Sequence, residues 1–235
     1  MASAGRQQTF DWGVRPALGR EDFLVAPCNE AAVTWIDRWP GWPGPALVIH
    51  GPPGAGKSHL AEVWRRRSDA ALVPAAGLAE AESVHAREAG ALVIDGLGGP
   101  IAERALLHLY NRIAERGGHL LLTAAGPPAH WLLTLPDLVS RLRLAPAAAL
   151  GMPDDALLGA LMVKLFADRQ VAVAPEVPAY LVPRVERTFA AVASLVERLD
   201  RAALAEGRPV TVPLARAVLA ADGERAATPD ATPRA

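Results

Sequence analysis

Four short apolar runs in the first two thirds of the chain have the length and composition of buried strands. Each run is continuous rather than alternating, which is typical of strands in a parallel sheet that is covered on both faces. We therefore predict four central strands, at Ala46 to His50, Ala71 to Pro74, Ala91 to Asp95 and His119 to Thr123.

Stretches with helical periodicity separate these runs, at residues 57–67, 78–88 and 101–116. Strands that alternate with helices predict right-handed crossovers and a parallel sheet. The fold class is therefore α/β, with helices on both faces of the sheet.

The pattern changes along the chain and predicts four segments. A polar arm (1–20), expected to be flexible, precedes the α/β block (21–150). An all-helical block (151–221) follows, and a tail (222–235) is expected to be disordered. In the helical block, Asp154 or Asp155 is expected to cap a helix, and a second amphipathic helix is expected to run to Gly207. The apolar face of the first helix is predicted to be core, with Leu157, Leu158, Leu161, Met162, Leu165 and Phe166.

Composition narrows the class of protein further. Of 235 residues, 51% are hydrophobic and 21% are charged, which excludes a wholly disordered chain. The net charge of −1 does not indicate a non-specific nucleic-acid binder. The single cysteine, Cys28, excludes an intrachain disulfide. Neither a membrane span nor a signal peptide is seen, so we expect a cytoplasmic protein without membrane contact. The histidine spacing predicts no transition-metal site.

The strongest chemical signal is a match to G-x-x-x-x-G-K-[ST] between the first central strand and the helix that follows it. Glycines allow backbone N–H groups to surround phosphate oxygens, and the helix directs its positive end at the same anion. In this pattern the lysine reaches the outer phosphates and the serine hydroxyl holds Mg²⁺. The predicted nucleotide-binding residues are Gly51, Pro52, Pro53, Gly54, Ala55, Gly56, Lys57 and Ser58.

Asp95, at the end of the third central strand, is the second predicted element of this site. A carboxylate at this edge of the sheet can hold Mg²⁺ through water, together with Ser58. Many hydrolytic P-loop proteins carry a second acid at the next position, where this chain has Gly96. We therefore expect a site that binds ATP or ADP with Mg²⁺ better than it hydrolyses ATP, and intrinsic ATPase activity stays open.

The order of these motifs resembles the AAA+ module of the bacterial replication initiator DnaA. The resemblance is closer to its shortened relatives, the regulatory inactivators of DnaA (the Hda family), and it covers roughly residues 7–221. It implies a three-layer αβα core followed by a small helical lid. The motifs that carry it are GPPGAGKS, ALVID, HLLLTAAGPPAHWL, LPDLVSRL and VERTFAAVASLVERLDRAAL.

The resemblance assigns roles to two arginines. Arg141, in LPDLVSRL, is implied to be an arginine finger that acts on the nucleotide of another subunit, because a planar, permanently charged guanidinium suits the charge of a γ-phosphate. Arg187, near the start of a lid helix, is implied to contact the nucleotide, with Arg184 as the alternative. Relatives often have a polar sensor where this chain has Ala124 and Ala125, which leaves Thr123 as the nearby polar candidate.

The arm gains a role from the same resemblance. Gln7, Phe10 and Trp12 fit Q-x-x-hydrophobic-x-aromatic, which resembles ligands of the sliding clamp of DNA polymerase III, the β clamp. The family more often has leucines at these positions. Since no DNA-binding domain follows the lid in this sequence, contact with DNA is expected only through the clamp.

The implied function is negative regulation of replication initiation. With the DNA-loaded clamp, the protein would stimulate ATP hydrolysis on DnaA by presenting Arg141 in trans, and a homodimer is left open. The alternatives are a helicase-loader-like AAA+ ATPase, which would bind single-stranded DNA in a salt-dependent way, and a small-molecule P-loop kinase, which would consume ATP with a metabolite. A degenerate P-loop scaffold would gain no thermal stability from ADP.

Overall fold

The computed structural model describes residues 15–17, 20–79 and 90–227, and the side chains of 24–79 and 90–221. Two compact units divide between Met152 and Pro153. In the described ranges, no helix is long and apolar enough to cross a membrane.

The N-terminal unit is built on a parallel sheet of five strands in the order β4-β5-β6-β3-β7. This order confirms the predicted α/β class, and all four predicted central strands are present in it. Its strands are β3 (Ala46–His50), β4 (Ala71–Pro74), β5 (Ala91–Leu97), β6 (His119–Ala124) and β7 (Ala147–Ala149). Its α-helices are α1 (Glu30–Asp37), α2 (Lys57–Ser68), α3 (Glu103–Glu115) and α4 (Pro136–Leu144).

Alternate residues of the central strands enter two separate cores, one on each face of the sheet. Leu47 and Ile49 of β3 pack with Trp64 of α2 on one face. Val48 of the same strand packs with Leu106 of α3 on the other. Because every second side chain of a strand points to the same face, a continuous apolar run is what a strand covered on both sides requires. This arrangement confirms the three-layer core.

Four elements of this unit carry no clear sequence signal. Strand β7 is a run of three alanines that pairs with β3, and it is too short and too small in volume to stand out. Strands β1 (Arg15–Ala17) and β2 (Arg20–Val25) form a separate antiparallel pair, so part of the segment predicted as an arm is paired. Helix α1 was likewise not predicted. Most of the helix predicted over 78–88 lies outside the described residues.

The C-terminal unit is helical, as predicted, with α5 (Asp155–Asp168), α6 (Glu176–Leu181), α7 (Phe189–Glu206) and α8 (Val212–Ala227). Asp154 caps α5, because its Oδ1 accepts a hydrogen bond from the backbone N–H of Leu157 at 2.8 Å. Helix α7 ends at Gly207, whose φ of 60° lies in the left-handed region. Helix α8 continues past residue 221, so disorder of the tail from residue 222 is wrong for its first residues, where Glu, Arg and Ala favour helix.

The predicted apolar face of α5 is core. Leu158, Met162 and Phe166 are buried against Val192 and Val196 of α7, while Leu161 and Leu165 are partly buried at its edge.

Candidate nucleotide site and arginine helix

The loop between β3 and α2 has a backbone path that requires glycine. Gly54 and Gly56 have φ of 78° and 94°, which side-chain-bearing residues rarely adopt. A Cβ atom on Gly51 would lie 2.0 Å from the carbonyl oxygen of Leu150. The glycine spacing of the motif is therefore a steric requirement of this turn.

Lys57 folds back over the loop. Its Nζ donates hydrogen bonds to the carbonyl oxygens of Gly51 at 2.7 Å and Pro52 at 2.8 Å. Burial lowers the pKa of Lys57, and the nearby charge of Asp95 opposes that shift. An ammonium group has three protons. Two of them bind these carbonyl oxygens, and the third remains available for an anion in the loop.

The structure brings Ser58 and Asp95 together from residues far apart in the sequence. The Ser58 hydroxyl donates to Oδ2 of Asp95 at 2.9 Å. The other carboxylate oxygen, Oδ1, accepts a hydrogen bond from the hydroxyl of Thr123 at 2.5 Å. A hydroxyl and a carboxylate are oxygen ligands of the kind that Mg²⁺ prefers.

Thr123 was not predicted to be a partner of Asp95. It is fully buried at the end of β6, and its hydroxyl also accepts a hydrogen bond from the backbone N–H of Gly96 at 2.8 Å. Both bonding directions of the hydroxyl are thus used inside the protein. One sequence feature could have indicated this contact: Thr123 is a hydroxyl residue at the carboxyl end of the predicted strand that follows the one ending at Asp95.

Gly96 lies in a bulge of β5. Its φ is 84°, and the register with β6 shifts between Ile94 and Leu97. Beyond Thr123, Ala124 is buried and Ala125 is exposed. Neither Gly96 nor these alanines offers a side chain that could orient a water molecule.

The loop fits the phosphates of a nucleotide. Helix α2 begins after Gly56, and in the part of the chain that the structure describes no side chain caps this helix end. Uncapped N–H groups at a helix N-terminus, behind a glycine loop, favour an anion. Lys57 and the loop would hold phosphates, and Ser58 with Asp95 would hold Mg²⁺.

Arg141 lies in the second turn of α4, which packs through buried Leu138 and Leu142. Its guanidinium carbon lies 5.5 Å from the ring centre of Tyr110 on α3. Among the described residues, no hydrogen-bond partner is present for its buried Nε. The side chain is half-buried and supported on one face by an aromatic ring.

The two lid arginines belong to the C-terminal unit and have different partners there. Arg187 forms an ion pair with Asp155 at 2.8 Å, and both side chains are more than half exposed. Arg184 donates to the carbonyl oxygen of Tyr180 at 2.7 Å and lies 4.0 Å from the centre of that ring. Contact of either arginine with a nucleotide stays a prediction. Gln7, Phe10 and Trp12 lie outside the described residues, so the clamp motif stays a prediction as well.

A strand, a glycine loop ending in Lys-Ser, and a helix, set in a parallel sheet with an acid on a neighbouring strand, define the class of P-loop nucleotide-binding proteins. The family model described as "Hda, lid domain" matches residues 155–219.

Solved structures show the same fold at low sequence identity. Domain III of the DnaA replication initiation protein from Thermotoga maritima is 18% identical with a TM-score of 0.72, and the match covers 86% of this chain and 95% of that one. DnaA from Aquifex aeolicus bound to AMPPCP is 16% identical with a TM-score of 0.64, over 77% of this chain and 64% of that one. The chain thus spans under two thirds of the Aquifex aeolicus structure.

The Thermotoga maritima RuvB Holliday junction branch migration motor has a TM-score of 0.62 at 15% identity, over 83% of this chain and 66% of that one. Residues 155–219 thus match the Hda lid domain, and the chain has the fold of DnaA domain III.

Proposed function

We propose that this protein is a DnaA-related regulator of replication initiation that presents Arg141 to ATP bound on DnaA and so promotes hydrolysis of that ATP. The observation that carries the proposal is the state of Arg141: its half-buried guanidinium rests on Tyr110, and within the described ranges it forms no ion pair. An arginine finger needs a fixed position and a charge that is not already paired. The match to the Hda lid and the DnaA-like fold support DnaA as the partner.

The protein's own nucleotide has a separate role in this proposal. ADP or ATP with Mg²⁺ binds at the P-loop, where Lys57 contacts phosphate and Ser58 with Asp95 holds the ion. When bound, Mg²⁺ neutralises phosphate charge. The structure described as AMPPCP-bound DnaA supports a nucleotide ligand for this fold.

Hydrolysis by the protein's own site is expected to be slow. Gly96 and Ala125 provide no group to orient water, and Thr123 uses its hydroxyl on Asp95 and Gly96. This division of labour resembles that of a GTPase-activating protein, in which an arginine supplied in trans raises the rate by about 10³ or more.

The DNA-loaded sliding clamp completes the proposal. The arm would dock through Gln7, Phe10 and Trp12 as an extended peptide, with the aromatic side chains in an apolar pocket. Docking on a clamp concentrates the regulator where DNA has been replicated, and the protein then contacts DNA only indirectly. Self-association into a homodimer, set by the bound nucleotide, remains part of the proposal.

The proposal is tested with ATP-loaded DnaA, DNA-loaded clamp and the purified protein. Release of phosphate is measured for the wild type, Arg141→Ala and Arg143→Ala. We expect Arg141→Ala to abolish the stimulated rate, because the guanidinium is lost, and to leave ADP binding intact. Arg143, exposed two residues further along the same helix, is the matched control and should retain stimulation. Stimulation that survives in Arg141→Ala would refute the finger assignment.

A further inference from the structure

Glu103, in the first turn of α3, is bonded to the chain just before α4. Its carboxylate accepts from the backbone N–H of Thr134 at 2.9 Å and from that of Leu135 at 2.7 Å. It also accepts from the hydroxyl of Thr134 at 2.9 Å. One side chain therefore satisfies two backbone donors at the start of a helix that is otherwise without a side-chain cap.

These hydrogen bonds keep the carboxylate ionised. The N–H groups of Leu135 and Thr134 are the largest causes that lower the pKa of Glu103. At neutral pH the Glu103 carboxylate is therefore a negatively charged acceptor at the positive N-terminal end of α4, where a negative charge is stabilising.

Helix α3 touches the α4 segment at a second point. Tyr110, seven residues after Glu103, lies under the guanidinium of Arg141, which is seven residues after Thr134. Seven residues are about two helical turns, so one face of α3 carries both contacts. Helix α3 therefore contacts this segment twice, just before α4 and in its second turn, and Leu106 and Leu138 are buried in the same core.

We propose that Glu103 is a positioning residue for Arg141: through its bonds to Thr134 and Leu135 it fixes the start of α4, and with Tyr110 it sets where the guanidinium stands. The inference rests on the proposed function of Arg141. Glu103 itself touches neither nucleotide; it acts through the placement of α4. Since a finger must meet a phosphate within a fraction of an ångström, a small shift of the helix is enough to lower the rate.

Two substitutions separate the reach of Glu103 from its charge. Glu103→Asp keeps a carboxylate at the start of α3, where it suits the helix dipole, but is one methylene too short to hold Thr134 and Leu135 as Glu103 does. Glu103→Gln keeps the length but removes the negative charge, and its amide oxygen can take the position of Oε2, which accepts from both N–H groups. Glu115→Gln, at the exposed far end of α3, is the matched control. Retained ADP binding shows that each variant is folded.

The stimulated hydrolysis of ATP on DnaA is measured at saturating protein. We expect Glu103→Asp to lower the maximal rate by about tenfold and Glu103→Gln to lower it less, with Glu115→Gln unchanged. The concentration of protein that gives half-maximal stimulation should stay unchanged in Glu103→Asp, which a general loss of folded protein would not reproduce. Wild-type stimulation in Glu103→Asp, or a loss that is removed by adding more of the variant, would overturn the proposal.

A second measurement does not depend on DnaA. Exchange of the Arg141 Nε–H proton with water, followed by NMR, should be slow in the wild type because Nε is buried. It should become faster in Glu103→Asp but not in Glu115→Gln. If the wild type fails to stimulate DnaA, the proposed function is refuted, and the exchange rate alone then tests whether Glu103 positions Arg141. Unchanged exchange in Glu103→Asp would then refute it.

Discussion

Gly96 combines a missing catalytic group with a backbone conformation that disfavours a side chain. Its φ of 84° places it in the left-handed region, and a Cβ there would meet nothing within 4 Å. The restriction therefore comes from the backbone and not from crowding. An acid at this position could not be added without straining or rearranging the bulge of β5.

We expect Gly96→Ala to lower the free energy of unfolding by about 1 kcal/mol, because the left-handed conformation disfavours a side chain. Gly98 is the matched control, since its surroundings are equally open and its φ lies outside that region. Gly98→Ala should leave stability nearly unchanged. Denaturant unfolding of both variants gives the comparison, and equal stabilities would show that the bulge imposes no such restriction.

Thr123 is the residue on which the geometry of Asp95 depends. Removing its hydroxyl by Thr123→Val leaves Oδ1 of Asp95 without that donor and the N–H of Gly96 without that acceptor. We expect affinity for ADP with Mg²⁺ to fall by about tenfold, as when a group that orients a metal ligand is lost.

Calorimetry with Mg²⁺ and with EDTA distinguishes this effect from general damage. Affinity for ADP in EDTA should be unchanged in Thr123→Val, and Thr123→Ser should restore the Mg²⁺-dependent part. An equal loss with and without Mg²⁺ would contradict the role given to Thr123.

Local and long-range features differ in how far the sequence predicts them. Lys57 and Ser58 follow from a continuous motif, and Asp95 from its place at the end of an apolar run. Thr123 and Glu103 act across separations of 28 and 31 residues, respectively. Only the pairing of β5 with β6 and the packing of α3 beside α4 bring these groups to their partners, and no local pattern encodes that.

At the scale of elements, the central strands were predictable because burial on both faces demands unbroken apolar runs. Strand β7 could not be predicted, because three alanines form a strand here only through their pairing with β3. Disorder was expected from residue 222, whereas α8 continues to Ala227 through residues that favour helix.

The start of the lid helix α7 holds the arginine whose role is least determined. Arg187 is paired with Asp155, but the pair is exposed and contributes little to stability. If Arg187 contacts a bound nucleotide, Arg187→Ala should weaken ADP binding by about tenfold while leaving unfolding nearly unchanged. Arg184→Ala, measured by the same calorimetry, is the comparison. A loss of affinity in Arg184→Ala alone would transfer the role to Arg184.

At the scale of the whole molecule, the proposal links a nucleotide unit, a helical lid and an arm. We expect Gln7→Ala combined with Phe10→Ala to remove retention on immobilised clamp, because the edge hydrogen bond and one aromatic anchor are lost. Gln8→Ala changes the same residue type one position along and should be retained. Unchanged retention of the double variant would reject this docking mode.

The central claim is that the protein supplies a guanidinium to ATP on another protein and hardly hydrolyses its own. A single-turnover assay with labelled ATP tests it in two arms, with the label loaded on DnaA or on this protein, in the presence of DNA-loaded clamp. We predict rapid, Arg141-dependent formation of labelled ADP only when the label is on DnaA. Rapid hydrolysis of the label carried by this protein, with none stimulated on DnaA, would contradict it.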